Sequence, residues 1–307
     1  STLMRSSAAS DVYKRQMCDR AHMAKDYIED EYVQPYAIFD QKMGSSYMER
    51  NDALRDISNA LEKHEFQVYY QPVYDAFSGE IASAEALVRW KKADGEMVSP
   101  GIFVPALEDS GRISQMDLFV ERSVLSFMEE RYKKGQFIVP VSMNMSQMDF
   151  FDKDMMASVL LDVSNTDLPM DYTRFEVTET AYSIVASNNR NVLLDMKRIG
   201  VKFYLDDFGS GYSSFSTIRD YDFDVVKLDM GFVQKIGTTT KANAVIQAII
   251  DMAHAIGSKV VAEGAETKEQ VDALREMGCD YIQGFYFSKP LPQEEFEALL
   301  NAQYRED

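Results

Sequence analysis

Residues 225–264 read VVKLDMGFVQKIGTTTKANAVIQAIIDMAHAIGSKVVAEG. Two short apolar runs, 225–229 and 259–264, flank a helical stretch at 242–256 in which Val245, Ile249, Met252 and Ile256 recur at i, i+4, i+7 and i+11. Strand, amphipathic helix, strand is the βαβ unit, whose two strands lie parallel. Working outward, the same alternation recurs. Further candidate strands are 66–74, 81–89, 139–145, 175–180, 201–206 and 281–287. Between 264 and 281, Thr267 and Gln270 form a capping box that starts a helix, and Gly278 suits its stop. Eight strands with interleaved helices over about 240 residues predict an α/β fold, a (β/α)8 TIM-type barrel.

One junction departs from that rule. Strands 66–74 and 81–89 are separated by a few residues around Phe77, Ser78, Gly79 and Glu80. A parallel crossover needs a dozen residues or more, so this link makes a hairpin and the first two strands are antiparallel. The barrel is a modified one.

N-terminal to it, residues 1–16 show no period and read as a sequence-assembly scar or disordered lead. Residues 17–43 offer one helix and one short strand, too little for a domain. Residues 48–64, with Leu54, Ile57 and Leu61 at helical spacing, predict a helix that leads into the barrel. The expected organisation is therefore 1–16, 17–47 and a barrel over 48–305.

Composition narrows the chemistry. The 307 residues are 46% hydrophobic and 12% aromatic, ample for a core. No run approaches the roughly 18–20 apolar residues of a membrane span, and no signal-peptide core opens the chain. Cys18 and Cys279 are too few and too far apart for a disulfide framework, which together predicts a cytoplasmic protein. A net charge of −18 excludes a broad duplex-binding surface, though not a small nucleotide. His22, His64 and His254 stand outside every motif below, so His-based triads and His-rich zinc sites are excluded. The chemistry left is that of carboxylates.

Polar groups punctuate the apolar strands: Glu85, Asn144, Glu176, Glu179, Asp206, Asp207, Lys227, Glu263, Glu266 and Gln283. Each alone has an ordinary reading, as a salt-bridge partner, a turn, a cap or a solvated side chain. Gly209, Ser210 and Gly211 suit an ordinary turn better than a phosphate cradle, and Arg89 beside Trp90 suits a surface cation on an aromatic. Jointly they lie at the ends of six or seven strands, and barrel strand ends converge on one mouth. Gathered carboxylates repel, and burying them uncompensated costs several kcal/mol per ion. Hard divalent cations, Mg²⁺ or Mn²⁺, are the simplest compensation, and two of them suit phosphodiester hydrolysis. Within 175–179 the period of two puts Glu176 and Thr178 on one face and Glu179 on the other, so Glu176 is the ligand and Glu179 a brace. Glu263 lies nearer its strand than Glu266, and Gly264 permits the bend between them.

The motifs YQP (70–72), EALVRW (85–90), FVPALEDSG (103–111), NMS (144–146), EVTE (176–179), DDFGSGYSS (206–214), KLD (227–229), AEGAE (262–266) and QGFYFSKP (283–290) resemble, in this order, the EAL family of cyclic di-GMP phosphodiesterases. The resemblance implies one metal held by Glu85, Asn144, Glu176 and Asp206, and a second served by Asp206, Asp207 and Glu263. It implies water positioned by Lys227 and Gln283, with Glu263 as general base and Glu179 bracing the loop that begins at Asp207. Arg89 would meet a substrate phosphate, with Gln71 near a guanine and Leu87 beside them. The implied product is linear pGpG, and a homodimer is the implied assembly. The alternative is a non-hydrolysing cyclic di-GMP receptor, but such domains lose a ligand or the loop after the Asp pair, and neither is lost here. Ser210 for the usual Thr and Ala265 for the usual Val touch no ligand. Residues 17–43, with DRA at 19–21 and YAIFD at 36–40, resemble the C-terminal end of a GGDEF domain, without the signature that would carry cyclase chemistry.

Overall fold

A computed structural model describes residues 63–188, 190–208 and 222–306, together with Lys14, Met17, Cys18, Arg20, Ala21, Ala24, Lys25, 36–45, Met48, Ile57 and Ala60. The expectations for 1–16, for most of 17–35, for Leu54 and Leu61 and for the turn at Gly209, Ser210 and Gly211 lie outside the described residues. The chain divides into two units, one of 1–65 with 90–110 and one of 66–89 with 111–307.

In the first unit, the end of the second strand pairs with a two-residue strand, with Trp90 opposite Val98. Trp90 is fully buried, meets the Phe103 ring edge-on and donates its indole N–H to Glu65 Oε2 at 3.0 Å.

The second unit holds the barrel. In chain order the strands are β1 (Phe66–Asp75), β2 (Ile81–Lys91), β3 (Met97–Val98, of the first unit), β4 (Val141–Asn144), β5 (Thr173–Thr178), β6 (Lys202–Phe208), β7 (Val225–Leu228), β8 (Lys259–Ala262), β9 (Tyr281–Ile282) and β10 (Leu291–Pro292). Between them run α1 (Pro100–Asp109, of the first unit), α2 (Ile113–Lys133), α3 (Lys153–Asn165), α4 (Glu179–Asn188), α5 (Arg190–Arg198), α6 (Met230–Val233), α7 (Thr240–Ala255), α8 (Lys268–Glu276) and, last, α9 (Gln293–Glu306). Among the described residues eight strands close into a ring: β2, β4, β5, β6, β7, β8 and β9 pair in parallel, and β1 joins both ends of that series. β1 runs antiparallel to β9, and its turn back into β2 is closed by Asp75 N–H donating to Glu80 O at 2.8 Å. The short link predicted this reversal. Two marginal pairings, of β3 and β10, were not anticipated.

The parallel strands are apolar because both faces are covered; every residue of β7 is buried. Inside the barrel Val73, Tyr204, Val225 and Val261, with Tyr281 against them, form an apolar layer. Such a layer makes the barrel a packed core and leaves only its mouth for chemistry. Outside, α7 presents Ile246, Ile250 and Ala253 to the core, while Val245 and Ile256 are 40% and 44% exposed. The predicted stripe is thus offset by one residue, with Ile249 and Met252 at its partly buried edge. The segment carries two overlapping apolar stripes, and only packing on the sheet chooses between them. The Thr267, Gln270 capping box forms as expected, and Gly278 ends α8 at φ +80°. Several strands are shorter than expected: β9 stops at Ile282 and β8 at Ala262. No helix among the described residues is long and apolar enough to cross a membrane, and Cys18 and Cys279 are both free thiols.

Glu121 of α2 is a buried acid with no hydrogen-bond partner among the described residues for either carboxylate oxygen. Burial, aided by Asp162, pushes its pKa up from 4.5 to about 8. A raised carboxyl costs nothing while it is protonated in both states. The folded state therefore loses stability as pH rises from 4.5 to about 8, and the loss is complete above that. Glu121→Gln removes the titration. Its unfolding free energy relative to the natural protein should rise by roughly 2 kcal/mol or more across this interval. Urea unfolding at several pH values checks it; a gap independent of pH would disprove the assignment.

Candidate active site

The carboxylates reach the mouth from the C-terminal ends of separate strands, which is where barrel geometry sends them. Glu85 comes from β2, Asn144 ends β4, Glu176 lies in β5 and Asp206 in β6. Glu263 and Gln283 stand one residue beyond β8 and β9. Backbone bonds carry the sheet past those ends: Glu263 N–H donates to Leu228 O at 3.1 Å and Gln283 N–H to Ala262 O at 2.8 Å.

Hydrogen bonds and ion pairs join these groups into one network. Lys227 of β7, 2% exposed, places its Nζ 3.3 Å from Glu85 Oε2, 3.0 Å from Asp206 Oδ1 and 2.7 Å from Glu263 Oε1, and it also pairs with Glu176 Oε2. Gln283 Nε2 donates to Glu85 Oε2 at 2.7 Å and to Gln71 Oε1 at 3.2 Å. Asn144 Nδ2 donates to Glu85 Oε1 at 3.2 Å, which leaves its carboxamide oxygen as the donor atom for a cation. Asp206, Asp207 and Glu263 each offer a carboxylate oxygen, all within 4.8 Å of one another. All six expected metal ligands therefore meet at one mouth.

The neighbouring Asp206 and Asp207 need a special device, because adjacent strand residues point to opposite faces. The β6–β7 register shifts between Leu205 and Phe208, and Asp207 sits at φ +55°. An Asp tolerates the left-handed region better than most residues. This bulge turns both carboxylates toward the same space. Gly264, at φ +73°, makes the corresponding bend after Glu263.

Crowding shows in the titration behaviour. Burial pushes the Glu176 carboxyl well above its ordinary range; Glu85 and Asp206 add to the rise and Lys227 opposes it. Burial pushes Glu263 up to about 8, against the pull of Lys227 and with Asp206 and Glu85 adding to it. Asp207 is raised by burial and by its neighbour Asp206. For Lys227 burial works against the charge, yet Asp206, Glu176, Glu263 and Glu85 together overrule it and hold the ammonium well above its usual pKa.

The remaining expected residues divide. Gln71 is buried and reaches Ser288 O at 3.4 Å, and Gln283 ties it to the network. Leu87 and Arg89 are half-buried on β2. The Arg89 guanidinium lies over the Tyr69 ring at 5.9 Å, donates to Val88 O at 2.9 Å and has its pKa lowered by burial. Glu179 differs from the expectation: β5 ends at Thr178 and Glu179 is the first residue of α4. An acid in a helix's first turn is favoured by the macrodipole, which ends the strand period at this point. The loop beyond Phe208 that it was expected to brace lies outside the described residues.

The carboxylate oxygens of Asp206, Asp207 and Glu263, hard donors gathered in one place, fit a divalent cation.

Residues 54–290 match the EAL domain family. The chain is 33% identical over 243 residues to the probable cyclic di-GMP phosphodiesterase PdeB of Escherichia coli, covering 78% of this chain and 45% of that protein. It is 32% identical over 252 residues to the cyclic di-GMP phosphodiesterase NbdA of Pseudomonas aeruginosa, covering 82% of this chain and 32% of that protein. It thus spans less than half the length of these curated relatives. A solved structure of the PaMucR phosphodiesterase in complex with c-di-GMP superimposes with a TM-score of 0.73 at 29% identity, covering 80% of this chain and 99% of that one.

Proposed function

Because the chain belongs to the EAL domain family, we propose that it hydrolyses cyclic di-GMP to linear pGpG with two divalent ions, Mg²⁺ or Mn²⁺. The observation that carries this reading is the convergence of Glu85, Asn144, Glu176, Asp206, Asp207 and Glu263 from five strand ends onto one mouth. On this reading Glu85, Asn144, Glu176 and Asp206 would hold one ion, and Asp206, Asp207 and Glu263 the other. Such ions, when bound, lower the pKa of a water and offset charge on the scissile phosphate.

The chain's own groups do the rest. Glu263, whose carboxylate stands beside those of Asp206 and Asp207, takes a proton from the attacking water. Lys227 offsets negative charge as the phosphorane-like transition state develops. Gln283, whose Oε1 is buried without a donor among the described residues, orients that water. Arg89, at the end of the same strand as Glu85, meets a non-bridging phosphate oxygen, with Gln71 and Leu87 along the base.

Incubation of purified protein with cyclic di-GMP and Mg²⁺ or Mn²⁺, with chromatography for pGpG, tests the proposal. Metal-dependent appearance of pGpG is expected. Saturable binding of cyclic di-GMP without any pGpG would replace hydrolysis by a receptor role.

A further inference from the structure

Lys227 is buried to 2% exposure, so its ammonium cannot reach bulk water. It has three N–H donors and four carboxylate partners, those of Glu85, Glu176, Asp206 and Glu263. The neighbouring amides, Asn144 and Gln283, turn N–H groups onto Glu85 and so satisfy part of one carboxylate without adding charge. The ammonium is the single full positive charge among the described groups of this network.

Three of its partners, Glu85, Glu176 and Asp206, are also three of the four donors assigned above to one divalent ion. The ammonium and that ion thus claim the same carboxylates. We propose that Lys227 is the site's built-in counter-cation: it holds the mouth's carboxylates together and competes with divalent ions for them, thereby setting the protein's metal affinity. This rests on the two-ion reading and adds to the lysine's part in the chemistry. Linkage makes the competition reciprocal: whatever factor the ammonium takes from ion affinity, a bound ion takes from the ammonium's hold on the carboxylates.

Turnover alone cannot test this, because the proposed function also gives Lys227 a part in the chemistry. Thermal melts in chelator and in Mn²⁺, with calorimetry of Mn²⁺ binding, test it in the natural protein, in Lys227→Met and in Lys227→Met/Glu176→Gln. Met keeps the unbranched stem of Lys as far as Cε and removes the ammonium, with its charge and its three N–H donors. Lys227→Met should melt lower than the natural protein in chelator, regain most of the loss in Mn²⁺, and bind Mn²⁺ on the order of tenfold tighter or more. The double variant removes one of the stranded carboxylates and should recover part of the melt in chelator.

Should Lys227→Met fold only with Mn²⁺, the proposal stands in its strongest form. Should it fold in neither condition, recovery of folding in the double variant supports the proposal. Failure of the double variant too would overturn it, making Lys227 a packing residue. Natural protein that binds Mn²⁺ with an affinity Lys227→Met leaves unchanged overturns this inference alone. Natural protein that gives no Mn²⁺ heat overturns the two-ion reading and this inference with it.

Discussion

Asp206→Ala is expected to reduce turnover of cyclic di-GMP on the order of 10³-fold, in a way that excess Mn²⁺ does not restore. On the two-ion reading proposed above, the residue is singular because it would belong to both donor sets. It lies 3.0 Å from the Lys227 ammonium, which also holds Glu85 and Glu176, and its carboxylate joins Asp207 and Glu263 within 4.8 Å. Loss of Glu85 or Asp207 weakens one set and leaves the other, so excess metal should recover part of their activity. Loss of Asp206 opens both. The fold should survive, because the variant removes one of four carboxylates crowded on a single ammonium and so relieves repulsion. A thermal melt unchanged or raised, beside a turnover that stays low across a Mn²⁺ titration, is the expected pair of results. Recovery to the natural rate at high Mn²⁺ would show that Asp206 belongs to one ion only.

Much of this site is legible in the sequence because barrel topology does the assembling. Once the alternation of strand and helix is read, any polar residue at a strand's C-terminal end is assigned to the same mouth, however distant in the chain. Glu85 and Gln283 are nearly two hundred positions apart in the chain and share a hydrogen bond of 2.7 Å. The reversed β1 was legible for a simpler reason, the length of its link to β2. What depends on local backbone deviation was not legible. Strict alternation would have sent Asp207 away from Asp206; the bulge in β6 and the positive φ of Asp207 are set by pairing with β7, which no local pattern reports. The same holds for Glu179, read as a strand residue although α4 begins there, and for the face of α7, where two stripes compete. Lys227 was legible as a charge beside the acids. That it pairs with four of them is a property of the closed ring.

Among the described glycines near the site, Gly284→Ala should add the most damaging single methyl. A Cβ at this position would lie 2.1 Å from Ala265 O and 2.4 Å from Ala265 N, both backbone atoms that no rotamer change can move. The two segments are also stitched together: Ala265 N–H donates to Gln283 O at 3.2 Å and Tyr286 N–H to Ala265 O at 3.0 Å. Room for the methyl can come only from parting the strand ends that carry Glu263 and Gln283. The expected cost is roughly 3 kcal/mol of stability, from overpacking and from weakening both bonds. Turnover should fall on the order of 10²-fold in the protein that remains folded, the scale of a displacement near 1 Å at a reacting centre. Gly79→Ala supplies the comparison: Gly79 has φ +76° in the β1–β2 turn, and nothing lies within 4 Å of its added Cβ. That variant should cost only the backbone penalty of about 1 kcal/mol and keep its turnover. Urea unfolding and turnover measured on both variants separate the two cases. A Gly284→Ala protein as stable and as active as Gly79→Ala would mean that the contact between the 263–266 and 283–286 segments does not hold Glu263 and Gln283 in place.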